Sequence, residues 1–197
     1  KNITVPLSLT MSAIAATAAT AATAATAATT NFDKVRHFMK IMGQETPKNP
    51  VKPETVKDIT KLRIALIEEE LNELKEAVEK HDFVEVVDAL ADILYVTYGA
   101  GAAWGVDLQA AFNRVHDSNM SKICKSKEEA EQTVAWYKDR PEKGYPNPDY
   151  RKAGPEGPEG PEEPYYVVFE KTSGKILKSV NYNSVDLSNL VISDARS

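Results

Sequence analysis

Two consecutive segments with helical periodicity carry acidic side chains along their packing faces, and this pattern constrains the fold more than any other feature. Residues 66–96 read LIEEELNELKEAVEKHDFVEVVDALADILYV. The first segment is predicted to form a helix over 54–80, with apolar residues at helical spacing. Glu69, Glu70 and Glu73 lie beside this apolar stripe. Its members are Ile64, Ile67, Leu71, Leu74 and Val78.

The second segment, a predicted helix over 83–97, is apolar around nearly its whole circumference, which is typical of a central, buried helix. Its acids, Glu85, Asp88 and Asp92, stand at i, i+3 and i+7 and therefore share one narrow face. Like charges at this spacing repel, and a desolvated carboxylate costs several kcal/mol unless it is paired. We therefore predict that a cation binds between these two helices, which a short turn makes antiparallel neighbours.

Only oxygen ligands are available for this cation, because no histidine follows a glutamate at the Glu-x-x-His spacing of di-iron bundles. Clustered carboxylates of this kind suit Mg²⁺, Mn²⁺ or Ca²⁺. For the first helix, a solvated acidic face is an equally good explanation, since Glu is a good helix former. Glu85 also has a structural alternative, because Asp82 and Glu85 match a capping box.

Composition places the chain among ordinary globular proteins and excludes several classes. Its 197 residues are enough for one domain with a sizeable core, and its net charge of -5 argues against a general nucleic-acid binder. The single cysteine, Cys124, excludes an internal disulfide and a Cys-rich zinc site. No clear transmembrane span is present, so we predict a cytoplasmic (intracellular) protein with no membrane partner.

Four regions are predicted along the chain. Residues 1–30 contain Ala-Ala-Thr triplets and form a low-complexity, disordered tail without the features of a signal or transit peptide. Residues 31–138 form a helical domain, 139–164 a linker rich in Pro, Gly and Glu, and 165–197 a C-terminal β-hairpin extension.

Three further helices are predicted within the helical domain. The first runs over 32–42 with Asn31 as its cap, and the others run over 108–123 and 127–138. The proline-broken stretch 44–53 is read as a connector, with a loop that closes over a substrate as the alternative. Residues predicted to face inward from the last two helices are Leu108, Ala111, Phe112, Val115, Ala130, Val134, Ala135 and Tyr137. The hairpin is predicted to pair 165–170 with 175–180.

A polar cluster follows these apolar positions in the sequence RVHDSNMSK. Arg114, Asn119 and Lys122 supply hydrogen-bond donors for a phosphate or a base. The alternative is that the cations simply stabilise a helix C-terminus. Upstream, the glycines of GAGAAWG allow close approach of helices or subunits.

In combination, the Glu69-Glu70-x-x-Glu73 pattern, the second acidic helix ending in Asp-Ile-Leu-Tyr, GAGAAWG and SNMSK resemble the MazG-like superfamily. These are all-α nucleoside triphosphate pyrophosphohydrolases, which include phosphoribosyl-ATP pyrophosphohydrolases and dimeric dUTPases. The resemblance covers about 32–122 and continues weakly in SGKILKSVNY. It implies an all-α, MazG-like bundle of four to five helices with a small C-terminal β-hairpin.

The resemblance also implies a Mg²⁺-dependent hydrolase, with Mn²⁺ as a possible substitute, that converts a nucleoside triphosphate into the monophosphate and pyrophosphate. It assigns Glu69, Glu70, Glu73 and Asp92 to the metal, and Glu69 or Glu70 as the base that activates water. The family usually has Glu where this chain has Ala89, so Asp88 or Glu85 is expected to replace that ligand. Asn119 and Lys122 are expected to contact the nucleotide, and Arg114 is a further candidate.

A second subunit completes the core and the active site in this family, so a homodimer or homotetramer is expected. Two alternative functions remain open. One is a phosphoribosyl-ATP pyrophosphohydrolase of histidine synthesis, and the other is a non-catalytic helical assembly or nucleotide-binding module.

Overall fold

The computed structural model describes residues 29–154 and 164–192. The predicted disordered tail over 1–28 and most of the Gly-Pro-Glu run lie outside the described residues. Within them, five helices and a two-stranded antiparallel sheet confirm the predicted fold class. The elements are α1 (Asn31–Ile41), α2 (Lys57–Glu79), α3 (Phe83–Ala103), α4 (Leu108–Met120), α5 (Lys127–Lys138), β1 (Pro148–Ala153) and β2 (Tyr165–Glu170).

Helix boundaries differ from the predictions where local capping decides them. Thr30, not Asn31, caps α1: its hydroxyl accepts from the Asp33 backbone N–H at 3.1 Å, and the Asp33 carboxylate accepts from the Thr30 N–H. Helix α2 begins at Lys57 because Pro53–Thr55 form a separate 3-10 turn. Helix α3 continues to Ala103, so most of GAGAAWG is helical.

The first hydrophobic core joins the N-terminal helix to the glycine- and alanine-rich end of α3. Small residues at that end let α1 approach α3 closely, and the aromatic rings of Phe32 and Tyr98 pack 6.2 Å apart. Ile59 of α2 and Leu108 of α4 pack against the same core. Its buried members are Phe32, Val35, Met39, Ala102 and Ala103.

Several apolar residues predicted to be buried are exposed in the single chain. Helix α3 is not buried all round, since one side of it faces solvent with Phe83 77% and Leu94 59% exposed. On α4, Phe112 and Val115 were expected to face inward but are 61% and 38% exposed, and Ala135 of α5 is exposed as well. The predictions located the apolar stripes correctly, but the single chain does not cover all of them.

The predicted small sheet is present, but β2 has a different main partner. Strand β1, inside the predicted linker, pairs antiparallel with β2 in a register that matches Pro148 with Glu170 and Ala153 with Tyr165. The segment predicted as the second strand, 175–180, contributes only an isolated bridge between Ile176 and Phe169.

A second hydrophobic core lies between α5 and this sheet. Because α5 packs there rather than on the first core, the predicted domain boundary at residue 138 falls inside this packing unit. The buried members of this core are Cys124, Ala130, Val134, Tyr137, Val168 and Leu177. We call α5, β1, β2 and the segment 175–180, which pack around this core, the C-terminal unit.

Replacing Gly105 by alanine is expected to lower the free energy of unfolding by at least about 2 kcal/mol. Gly105 has φ +67°, and an added Cβ would lie 2.3 Å from the Asn49 carbonyl oxygen. The connector 44–53 is held at this point, where the Val51 N–H donates to the Trp104 carbonyl at 2.9 Å. It therefore behaves as a packed connector. Urea denaturation of the variant and the wild type measures the loss.

Gly43→Ala is the matched control, because Gly43 has φ +70° but open space around its would-be Cβ. Only the backbone strain of about 1 kcal/mol is expected there. Equal losses in both variants would show that the contact with the connector is unimportant.

Candidate active site

The register between α2 and α3 places the acidic side chains of the two helices opposite each other. A Cβ added to Gly99 on α3 would lie 3.1 Å from the Arg63 guanidinium on α2, which fixes these two positions as neighbours. Glu70 follows Arg63 by seven residues and Asp92 precedes Gly99 by seven residues. Since the helices are antiparallel, both acids lie about 10 Å along the axes from that contact, at the same level.

The charges of four other predicted acids act on Glu70. Burial raises the pKa of Glu70 first, and the charges of Glu73, Asp92, Glu69 and Asp88 raise it further, in that order. Glu70 and Asp92 are half-buried at the edge of the helix contact, whereas the other three are exposed. The structure thus brings these five carboxylates to one edge of the α2–α3 pair.

The charge of Glu85 is not among those that raise the pKa of Glu70. Glu85 is exposed, and its charge contributes to the raised pKa of Lys80, which arises chiefly from the hydrogen bond with Glu76. The predicted capping box is only half formed: the Asp82 side chain accepts from the Glu85 N–H at 3.3 Å, but the Asp82 N–H donates to the Ala77 carbonyl. Glu85 is therefore the weakest candidate among the six for a role in the shared site.

Ala89 is 3% exposed and fills the packed face of α3 one turn before Asp92. This chain therefore has a buried methyl group where the family that it resembles usually has a carboxylate. Asp88 is the adjacent residue, and its charge reaches Glu70. Asp88 is therefore the better substitute for the missing ligand than Glu85.

The acid cluster has the chemistry of a site for a hard divalent cation. In the described ranges, no three His, Cys, Asp or Glu side chains stand close enough together to hold a metal ion with their present rotamers. However, the ion pairs found within 29–154 and 164–192 involve Glu76, Glu131 and Asp149, so none neutralises the cluster. Uncompensated carboxylates that already repel one another fit Mg²⁺ or Mn²⁺, given side-chain reorientation.

The three predicted substrate-binding residues do not act as one group. The Arg114 guanidinium donates to the Asp186 carbonyl at 3.1 Å and to the Asn189 side chain, so the C-terminal segment holds it. Lys122 donates from Nζ to the Asn119 side-chain oxygen at 2.8 Å. Asn119 and Lys122 therefore form a pair at the end of α4, whereas Arg114 has a structural partner.

Arg63 is a residue that the sequence analysis did not single out. It is 7% exposed, its Nη2 donates to the Gln44 side chain at 2.9 Å, and its Nε has no hydrogen-bond partner. Burial lowers the pKa of its guanidinium. The sequence could have indicated Arg63 through its position, two helical turns before Glu70 on the same face of α2.

Comparison with known proteins connects this geometry to a family. Residues 35–119 match the family model of phosphoribosyl-ATP pyrophosphohydrolase. An uncharacterized protein of Acanthamoeba polyphaga mimivirus is 26% identical over 253 aligned residues, which cover 82% of this chain and 96% of that protein. No helix among the described residues is both long and apolar enough to cross a membrane. The segment 35–119, which carries all six acids, is thus similar to the phosphoribosyl-ATP pyrophosphohydrolase family, within the MazG-like superfamily.

Proposed function

We propose that this protein is a Mg²⁺-dependent nucleoside triphosphate pyrophosphohydrolase that releases a nucleoside monophosphate and pyrophosphate. The observation that carries the proposal is the placement of five carboxylates along one edge of the antiparallel α2–α3 pair. The pKa of Glu70 agrees with it, because burial raises that pKa first and the charges of the other four carboxylates raise it further. Five acids without a neutralising cation are electrostatically unfavourable by themselves. A divalent ion bound with the triphosphate would remove the repulsion between the carboxylates, and this would explain why they are clustered.

Each acid has a proposed role in this reaction. Glu69, Glu70, Glu73, Asp88 and Asp92 would hold the cation, which supplies charge neutralisation for phosphate oxygens and for the attacking water. Glu69 or Glu70, whichever is not fully used as a ligand, would take the proton from the attacking water. Asn119 and Lys122 would contact the nucleotide through the donors of their amide and ammonium groups.

A homodimer or homotetramer completes the proposal, because the single chain leaves a continuous apolar stripe exposed on α3. Phe83, Val87, Leu90 and Leu94 stand at helical spacing and are each about half exposed or more. The acids Asp88 and Asp92 lie on the opposite face of the same helix. A second copy could therefore cover the stripe without blocking the acidic edge.

The match to the phosphoribosyl-ATP pyrophosphohydrolase family supports a second candidate substrate. Phosphoribosyl-ATP carries the same α–β phosphoanhydride, so the same acids could serve for both substrates. A non-catalytic nucleotide-binding module is the alternative from another class, and the loss of a ligand position at Ala89 is the feature that favours it.

Parallel assays of pyrophosphate release from dUTP, dCTP, dATP and phosphoribosyl-ATP test these functions. We expect Mg²⁺-dependent release of pyrophosphate, with the monophosphate as the second product and no orthophosphate. Preference for phosphoribosyl-ATP over every nucleoside triphosphate would select the second candidate. Absence of turnover on all four with both Mg²⁺ and Mn²⁺ would contradict the catalytic proposal.

A further inference from the structure

A basic cleft of about 430 Å³ lies in the C-terminal unit. Its residues follow the acidic helices in the sequence. It is formed by the end of α5, the turn over 141–145 and the segment 175–178, with one residue from the end of α4. Its charged lining consists of lysines, namely Lys122, Lys143, Lys175 and Lys178, and no acid is among its lining residues. We call this cavity the lysine cleft. All of its residues lie outside the segment that matches the family.

The positive charge of the lysine cleft is not neutralised by carboxylates. Although the chain has a net charge of -5, the ion pairs found in the part of the chain that the structure describes use none of these four lysines. The charges of two of them reach Tyr182, whose pKa is lowered first by the hydrogen bond from Ser118 and further by Lys178 and Lys122. Four ammonium groups around one cavity attract a multiply charged anion.

Aromatic rings form the other part of the lysine cleft. Trp136, Tyr137 and Tyr145 stand in two successive edge-to-face contacts, with centroids 4.9 Å and 5.7 Å apart. Lys175 Nζ donates to the Tyr145 hydroxyl at 2.7 Å, which keeps that ammonium group at the cavity. Trp136 is half-buried and Tyr145 is partly exposed. Cations beside aromatic rings are the combination that holds phosphates and stacked bases in nucleotide-binding proteins.

We propose that the lysine cleft is a binding site for a nucleoside triphosphate, and that it binds this ligand without a divalent cation. Its volume is that of a small-molecule pocket. The lysines would hold the phosphates while Trp136 and Tyr145 contact the base. The choice of a nucleotide as the anion rests on the proposed function and on the aromatic rings that stand beside the ammonium groups. The cationic cleft itself is independent of that choice.

Isothermal titration of the full-length protein with ATP in EDTA tests the proposal, because the acidic site has no metal under these conditions. We expect saturable binding, accompanied by a change in tryptophan fluorescence. The variant Lys143→Ala/Lys178→Ala is expected to bind ATP at least about tenfold more weakly. Lys138→Ala/Lys152→Ala is the control matched in net charge, since both lysines are exposed in the same unit and do not line the cleft, and wild-type affinity is expected.

Binding through this cleft is separable from hydrolysis. Asp92→Asn should lose turnover and retain binding of ATP in EDTA, so failure of the proposed enzyme would leave this test intact. The proposal is overturned if the wild type shows no saturable binding, or if Lys143→Ala/Lys178→Ala binds ATP as tightly as the wild type. Equal affinity for inorganic triphosphate, or much tighter binding of a single-stranded oligonucleotide than of ATP, would also overturn it.

Discussion

Asp92→Asn and Glu70→Gln are each expected to reduce Mg²⁺-dependent pyrophosphate release at least about 100-fold. Each change removes a half-buried carboxylate from the edge of the α2–α3 pair and keeps the side chain nearly the same size. The loss should appear chiefly in kcat, because the proposed cation would act on the reacting phosphates. Steady-state assays at saturating Mg²⁺ measure it.

Thermal unfolding provides an independent measurement on the same variants. In the wild type, Mg²⁺ should raise Tm, since an ion that binds only the folded state stabilises it. In Glu70→Gln this rise should shrink, while Tm without metal should not fall, because one source of repulsion has been removed. These opposite responses separate a ligand from a residue that merely supports the fold.

Glu68→Gln is the matched control, since Glu68 is an exposed neighbour on α2 and its charge is not among those that raise the pKa of Glu70. It should leave kcat and the effect of Mg²⁺ on Tm unchanged. If Glu68→Gln and Glu70→Gln behave alike, the acidic edge is a solvated surface and the metal assignment is wrong.

Sequence periodicity predicted the helices that carry the acids better than it predicted burial. Spacing alone placed Glu70 and Asp92 on facing helices because helical geometry repeats with a fixed angle. The same spacing marked Phe112 and Val115 as buried, yet both are exposed in the single chain. An apolar stripe indicates that a surface is covered in the native protein, but it does not indicate whether the covering residues come from the same chain.

The partner of β2 could not be read from local signals. A short turn between 165–170 and 175–180 favours a hairpin, since nearby segments close a loop at low entropic cost. The structure instead pairs β2 with β1 across the Gly-Pro-Glu run. Pairing on that side lets α5 pack on the sheet and bury Val168 completely. The pairing of β2 depends on burial against α5, a helix that lies elsewhere in the sequence. A local sequence pattern cannot predict such a contact.

If the proposed homodimer or homotetramer forms through the α3 stripe, Leu94→Lys is expected to convert it into a monomer and to raise its dissociation constant at least about 100-fold. Leu94 lies on the stripe with Phe83, Val87 and Leu90 and is 59% exposed in the single chain. A lysine there is tolerated in the monomer because its ammonium group stays in water. In an assembly that covers the stripe, the same charge loses its hydration without gaining a partner. Sedimentation velocity over a concentration series measures the shift in mass.

Gln132→Lys adds the same charge at an exposed polar position of α5 and is the matched control. It should leave the oligomeric mass unchanged, and far-UV circular dichroism should show that both variants keep their helices. If a partner subunit completes the active site, turnover of Leu94→Lys should recover as the protein concentration rises through its dissociation constant. A wild type that remains monomeric at every concentration would instead require the exposed stripe to bind something other than a second copy. In that case one chain must form the acidic site alone, because Glu70 and Asp92 belong to neighbouring helices of the same chain.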